Sequence, residues 1–421
     1  MTKKTLLDLV IQGCTICSDS RTLASGQIFF ALKGERFNGN NFAPQALELG
    51  ATAIVIDEDV DGVDLTDPRV HRVDDSLLCL QDLAKDYRKH WGGRVIGITG
   101  SNGKTTAKEI FRAVLEQRYA VWATPGNFNN HIGLPLTLLQ LKPEHEVAII
   151  EMGANHQGEI ETLTRIALPD IGYITNFGQA HLEGFGGIEG VIKGKSELYR
   201  WLESAGRPAL VNAKDPLQLR HAGPQRITTE PDITTQSLDH GMAISWAGIT
   251  AQSHLVGNFH DGNLRAAVAL GRHLNISDDA IARGIAQYVP QNNRGEWRQT
   301  DHNVVFLDAY NANPSSMEAS VRAVHQLHPD REHLYIAGDL FEMGDYTESV
   351  HQRMIEVFRE LNLKQVYLVG EAFSRTDAEG MRQFERTDDV MAHLEGHPPK
   401  GMMIWIKGSR GMALERLLPL L

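Results

Sequence analysis

Residues 94–106 read RVIGITGSNGKTT, and this segment narrows the possible folds more than any other. A short apolar run leads into a loop carrying Gly100 and Gly103, and a helix is expected from Lys104. That order of strand, glycine loop and helix is the first half of a βαβ unit, which needs a parallel sheet to receive it. Glycines let the backbone wrap closely around phosphate oxygens, while loop N–H groups and the positive end of the helix favour a polyanion. Lys104 would reach the β- and γ-phosphates and Thr105 would give its hydroxyl to Mg²⁺. The strict pattern G-x-x-x-x-G-K-[ST] is missed by one residue, because Gly97 lies six positions before Gly103. The strand–loop–helix setting still favours ATP binding over a glycine turn without a ligand. The next predicted strand, 147–151, ends in Glu151, an acid at the carboxyl edge where such sheets collect ligands and metals.

The rest of the chain extends this pattern. With 421 residues, two or three domains are expected. Strands at 27–32 and 53–57 with helices at 43–49 and 77–90 predict a small α/β domain over 1–92, closed by Trp91-Gly92-Gly93. Strands at 94–99, 147–151, 171–176 and 209–212 alternate with helices at 104–117, 159–167 and 190–203. This predicts a central P-loop ATP-binding domain over 93–297 with a mostly parallel sheet. Threonine-rich, alternating stretches in 226–257 suggest one or two hairpins, followed by helices at 264–274 and 278–288. Strands at 304–308, 333–338, 365–370 and 402–407, with helices at 315–327, 349–361, 388–394 and 412–418, predict a Rossmann-like doubly wound domain over 298–421. The fold class is α/β in three domains.

Composition removes several alternatives. Acidic side chains exceed basic ones, 53 against 41, so no basic face for nucleic acid is expected. An anionic substrate needs only a local positive pocket. Cys14, Cys17 and Cys79 are too few for a disulfide framework, and the lone C-x-x-C reads as two reduced thiols. Asp8 interrupts the first apolar run and no stretch reaches membrane-span length, so a cytosolic chain without leader or membrane insertion is expected.

The motif set resembles a known family. TGSNGKTT (99–106), TPGNFNNHIGLPLTLL (124–139), EMGANHQGEI (151–160), NFGQAHLEGFGG (176–187), KGKSELY (193–199), GNFHDGNLRAA (257–267), DAYNANPSSM (308–317), GDLFEMGD (338–345) and KGSRGM (407–412) follow SDSR (18–21) in order. Together they resemble the Mur ligases, which build the peptide stem of bacterial peptidoglycan by ATP-driven amide formation. YNANP (310–314) and EMGANHQGEI resemble the member that adds D-alanyl-D-alanine to UDP-N-acetylmuramoyl-tripeptide, expected as a monomer. The Asp-Asn-Pro signature of the ligases that add the third residue is absent. That ligase and folylpolyglutamate synthase are the alternatives within the superfamily. A P-loop switch or transporter motor is the alternative outside it, and would leave the flanking motifs without a use.

The resemblance assigns roles residue by residue. It implies an acyl-phosphate intermediate, with Lys104, Glu151, His181 and Lys195 as the catalytic set. ATP is expected at Gly100, Ser101, Asn102, Gly103, Lys104, Thr105 and Thr106, with Asn263, Arg294, Asp308 and Asn311 completing its site. Two Mg²⁺ ions are implied, one on Thr105 and Glu151, the other on Glu151 and His181 with Lys195 in support. A cationic lysine would repel a metal, and the family answers this with a carbamylated lysine; Lys195 and Lys193 otherwise read as a solvated helix face. The UDP-substrate is expected at Ser18, Asp19, Ser20 and Arg21, with its muramoyl-peptide at Asn127, Asn129 and Asn130. Arg410 is assigned to the dipeptide carboxylate, which a guanidinium fork matches, and Asp339 and Glu342 to its ammonium group. Two departures stand out. The family's Gly-x-His-Asn reads Gly257-Asn258-Phe259-His260, leaving Asn263 for the purine, and its Pro-Gly-Arg reads Asn292-Asn293-Arg294.

Overall fold

Arg94–Thr99 forms the strand that the loop motif requires, and Lys104–Leu115 forms the helix. The computed structural model describes residues 3–230 and 232–421. The strand lies inside a six-stranded sheet whose order is Arg226–Thr228, Ala209–Val211, Ile171–Ile174, Arg94–Thr99, Val147–Glu151, Val121–Ala123. The chain passes to one side of Arg94–Thr99 and then to the other, so the strand order reverses at the phosphate loop, the place where open α/β sheets bind ligands.

Four parallel strands, Ile16–Cys17, Ile28–Phe30, Ala53–Ile56 and Val70–Arg72, make the N-terminal sheet. The helix Ser76–Trp91 follows; Asp75 caps its start by accepting from the Leu78 N–H, and Gly92 at φ +71° ends it. Arg88 near its end is buried, bonds the Ala167 carbonyl and pairs with Asp170 at 2.8 Å.

The C-terminal sheet runs Glu296–Gln299, Val304–Asp308, Met403–Lys407, His333–Gly338, Val366–Val369, Arg382–Phe384, with only the first strand antiparallel. Both faces are apolar and alternate along each strand. Phe306, Tyr335, Leu368 and Trp405 enter one core, while Val305, Leu307, Ile336, Ile404 and Ile406 enter the other. A sheet buried on both faces is what helices on either side require. Its carboxyl edge carries Asp308, Asp339 and Lys407.

The chain divides into two compact units, Met1–Ile98 with Tyr119–Ala154 and Gly158–Gly172, and Thr99–Arg118 with Asn155–Gln157 and Tyr173–Leu421. Among the described residues no helix is long and apolar enough to cross a membrane.

Some elements differ from the sequence reading. Arg226–Thr228 joins the central parallel sheet, and the hairpin region is three antiparallel strands, Thr234–Leu238, Gly241–Trp246 and Ile249–Ser253. Ala247 and Gly248, both at positive φ, make the second turn, as a two-residue hairpin demands. The helix expected at 190–203 is two helices, Ile188–Lys195 and Glu197–Ser204, which meet at Ser196. The helix expected at 412–418 is a 3₁₀ segment, Leu414–Leu420, because Ala413 at φ +50° breaks the entry and Pro419 cannot continue an α-helix.

Candidate active site

The phosphate loop is held from beneath by the segment that follows Ile171–Ile174. The Ser101 N–H donates to the Asn176 carbonyl at 3.1 Å and Ser101 Oγ donates to the Gly178 carbonyl at 2.7 Å. Thr175 Oγ1 and Asn176 Nδ2 donate to the Asn102 carbonyl at 2.6 and 3.0 Å. Gly100 sits at φ +137°, and a Cβ there would lie 2.0 Å from Thr175 Oγ1. Only glycine lets the loop come this close. Gly103, at φ +76°, begins the helix that carries Lys104, Thr105 and Thr106. Lys104 Nζ donates to the Gly100 carbonyl at 2.8 Å, so the cation lies over the loop that it serves.

Asn263 is buried and braces the same loop. Its Nδ2 donates to the Gly103 carbonyl at 3.3 Å while its Oδ1 accepts from the Tyr173 hydroxyl at 3.1 Å. Both ends of the carboxamide expected at the purine are used on the protein. His260 is buried, and burial with the nearby Lys407 charge lowers its pKa to about 3.

Glu151 ends its strand with only 2% of its surface exposed. Asn129 Nδ2 donates to its Oε1 at 2.8 Å, and Gly153 makes room, since a Cβ there would meet the Asn129 amide at 2.8 Å. Asn129, expected at the muramoyl-peptide, therefore orients the carboxylate. Asn130 accepts from the Ile132 and Gly133 N–H groups in a turn of its own, while Asn127 is exposed.

His181 adopts φ +52° at the start of the short helix Leu182–Phe185, and its Nδ1 lies against the Glu342 carboxylate. Burial holds its pKa below the ordinary value; Glu342 opposes this, while Lys104 and Lys195 add to it. Lys195 is wholly buried, with Nζ 4.9 Å above the Phe185 ring. The solvated-face reading holds for Lys193, which is exposed, and fails for Lys195. Gly194 permits this, because a Cβ there would strike the Phe185 ring at 2.5 Å.

At the carboxyl edge of the C-terminal sheet, Arg294 stacks 3.4 Å above the Tyr310 ring and Arg410 lies 5.4 Å from the same ring. Asn311 is exposed. Asp308 pairs with the buried Lys407 at 2.6 Å. Asp339 is buried, and its two oxygens accept from the Ala372 and Phe373 N–H groups at 2.9 and 3.0 Å. Asp339 thus anchors the helix Glu371–Ser374, while Glu342, more than half exposed, turns its carboxylate to His181.

In the N-terminal sheet, Arg21 grips Asp19 through Nε and Nη2, the latter at 2.6 Å, and these bonds lower the pKa of Asp19 to about 2. Ser18 precedes the pair and Ser20 lies between its two members, after the strand Ile16–Cys17.

Sequence reasoning missed Thr175, Asn176, Tyr173, Tyr310 and Lys407. Asn176 opens the NFG run, Tyr310 lies in DAYNANPSSM and Lys407 opens KGSRGM, so the motifs marked these three, while Tyr173 and Thr175 lie just before the NFG run; their hydrogen-bond and stacking roles had no local signal. Among the described residues no group of three or more His, Cys, Asp or Glu is arranged to hold a metal alone. Mg²⁺ normally takes only one or two carboxylates and fills its remaining positions with phosphate oxygens and water. The Thr105 hydroxyl and the Glu151 carboxylate are each hard oxygen donors of the kind that ion takes.

Residues 11–88 match the model of the Mur ligase family, catalytic domain; residues 98–271 match the Mur ligase middle domain; residues 293–410 match the Mur ligase, glutamate ligase domain. The UDP-N-acetylmuramoyl-tripeptide–D-alanyl-D-alanine ligase of Bacillus subtilis (strain 168) is 34% identical, over 97% of this chain and 93% of that protein. A crystal structure of MurF from Acinetobacter baumannii superposes with a TM-score of 0.88 at 30% identity, covering 99% of this chain and 97% of the other. MurF from Thermotoga maritima in complex with ADP gives 0.87 at 26% identity, covering 98% and 97%.

Proposed function

The chain belongs to the Mur ligase family, and from that membership we propose that it is the ATP-dependent ligase joining D-alanyl-D-alanine to UDP-N-acetylmuramoyl-tripeptide in peptidoglycan precursor synthesis. The observation that carries this reading is similarity at 34% identity to a ligase of that name, over 97% of this chain and 93% of the other. Three α/β domains in the matching order and a phosphate loop braced by 175–178 agree with it.

The substrate carboxylate oxygen attacks the γ-phosphorus of ATP. The bond to the bridging β–γ oxygen breaks and ADP leaves. The dipeptide amine then attacks the acyl carbon, loses a proton, and the carbon–oxygen bond to phosphate breaks. An anion must approach a polyanion, so the residues act by positioning and by charge neutralisation. Lys104 supplies a cation at the loop, and the N-terminal end of the helix Lys104–Leu115 favours the negative charge of the phosphates. Mg²⁺ held at the loop by Thr105 would add positive charge at the transferred phosphoryl group. Asn129 keeps Glu151 aimed. Arg294 and Arg410, both at Tyr310, bring two guanidinium groups to the C-terminal edge, one for the triphosphate and one for the dipeptide carboxylate.

The carbamylation of Lys195 belongs to this proposal too. An ammonium at that position adds positive charge beside His181 and Lys104, against a divalent cation, and a carbamate would reverse its sign. A ¹³C-bicarbonate NMR signal that disappears in Lys195→Met is the expected result; the absence of any such signal in the active enzyme removes the carbamate.

The ligase reading is tested by ADP release in the presence of the UDP-tripeptide. D-alanyl-D-alanine should stimulate it, and single amino acids should not. Stimulation by a single amino acid alone would move the chain to a neighbouring ligase, and ATP hydrolysis indifferent to amines would make it a switch or motor.

A further inference from the structure

Asn102, Asn313 and Ser315 close a ring of hydrogen bonds. Asn102 Nδ2 donates to Ser315 Oγ at 3.0 Å, Ser315 Oγ donates to Asn313 Oδ1 at 3.0 Å, and Asn313 Nδ2 donates to Asn102 Oδ1 at 2.6 Å. Each side chain gives one bond and receives one in the same sense around the ring, an arrangement in which the bonds polarise one another. Only one orientation of each carboxamide satisfies all three.

Both sides of the ring are anchored. Asn313 is buried and caps the helix Pro314–His325, accepting from the Ser316 N–H at 2.9 Å while its own N–H donates to Ser316 Oγ at 3.0 Å. The Asn102 main chain is fixed by Thr175 and Asn176, its N–H donating to Asn176 Oδ1 at 3.1 Å. Gly178 lies over the ring, and a Cβ there would stand 2.9 Å from both Asn102 Nδ2 and Ser315 Oγ. The Asn102 carboxamide is thus committed to the helix cap, and its main-chain N–H and carbonyl to Asn176 and Thr175.

We propose that Asn102, Asn313 and Ser315 are positioning residues that fasten the 308–313 loop to the phosphate loop. The ring holds Asp308 and Asn311 in register with the triphosphate and makes phosphoryl transfer depend on the helix cap. This rests on the ligase reading for its catalytic consequence, while the ring itself can be tested apart from it.

The experiment is a double-mutant cycle on Asn102→Ala and Ser315→Ala in the full chain, reading kcat, KM for ATP and the dissociation constant of ADP. Each single variant should lower kcat about tenfold and the pair about tenfold as well, because either change opens the same ring. ADP affinity should stay within about twofold, since the bonds from Thr175 and Asn176 that shape the loop survive, and Ser315→Thr, which keeps the hydroxyl, should recover most of the loss. Multiplication of the two effects, or a parallel loss of ADP affinity, overturns the proposal. Gly178→Ala, which presses on the ring without removing a member, should behave as the singles do.

A second readout is independent of the reaction. Hydrogen exchange at the Ser316 N–H should speed up in Asn102→Ala, and unchanged exchange overturns the ring whatever the chain ligates. If amines prove irrelevant to ADP release while Ser316 responds, the ligase reading fails and the ring stands.

Discussion

Lys407 Nζ lies 2.6 Å from Asp308 Oδ2, and the parallel register pairs the two residues directly at the carboxyl ends of adjacent strands. The same ammonium reaches the Asn311 carbonyl at 3.2 Å, so one buried lysine ties down the loop expected to face ATP. Lys407→Met would leave Asp308 without its partner in a confined site. It should cost about 3 kcal/mol of stability and lower ligase turnover further. Urea unfolding checks this; a change within about 0.5 kcal/mol would make the pair a surface-like contact and the argument wrong.

Lys104→Ala removes the cation from the phosphate loop without touching the N-terminal sheet. Acyl-phosphate formation should fall by about 10²–10³-fold or more, while binding of the UDP-substrate measured by calorimetry stays intact. Retained turnover contradicts the role of Lys104.

Gly100→Ala places a Cβ 2.0 Å from Thr175 Oγ1 at φ +137°. The loop must move, so ATP affinity should collapse. Thr175→Ser at the same time clears only the methyl group and leaves the colliding oxygen, so it should restore little; Thr175→Ala in the Gly100→Ala background should restore part of the affinity. Equilibrium binding of a fluorescent ATP analogue distinguishes these outcomes.

Arg88 pairs with Asp170 at 2.8 Å while bonding the carbonyls of Ala167 and Leu168. Arg88→Met keeps the aliphatic stem but abandons two carbonyls and a carboxylate, and should destabilise the chain by about 3 kcal/mol. The loss should appear in the denaturant midpoint with little change in slope.

Burial lowers the pKa of His260 to about 3 and that of His71 to about 4, the Lys407 charge adding to the first effect. Unfolded, each takes a proton near pH ~6.5. The unfolded chain therefore binds more protons below that pH, and stability should fall as pH is lowered from about 6.5 towards 5, by about 1.4 kcal/mol per pH unit for each histidine. Above pH ~7 their contribution is flat. Urea midpoints at several pH values check the slope, which His260→Gln should reduce; an unchanged slope would falsify the assignment to this residue.

The order of elements was legible because each left a local mark. The run 94–106 announced strand, loop and helix; Trp91-Gly92-Gly93 marked the end of one helix; short apolar runs between helical stretches marked the strands of the C-terminal sheet. Short elements were not legible. Ile16–Cys17 and Arg226–Thr228 are strands because neighbours pair with them, and two or three residues carry too little pattern to show that alone. The break at Ser196 between two helices was hidden for the same reason.

The site divides along the same line. The sequence marked the residues to which the chemistry is assigned: Lys104 and Thr105 from the loop, Glu151 from a strand end, and His181, Lys195, Asp308 and Arg410 from their motifs. Tertiary structure decided what each side chain is free to do. Lys195 and Lys193 are two residues apart and nearly identical in local context, yet one is wholly buried against Phe185 and the other faces solvent. Asn129 and Asn130 are adjacent, yet one orients Glu151 and the other closes its own turn. Asn263 and Asp339 spend their polar atoms on the protein. Identity and spacing are properties of the chain, but burial and hydrogen-bond partnership depend on segments far apart in sequence, such as 102 with 313 and 308 with 407, and these exist only once the sheets have formed.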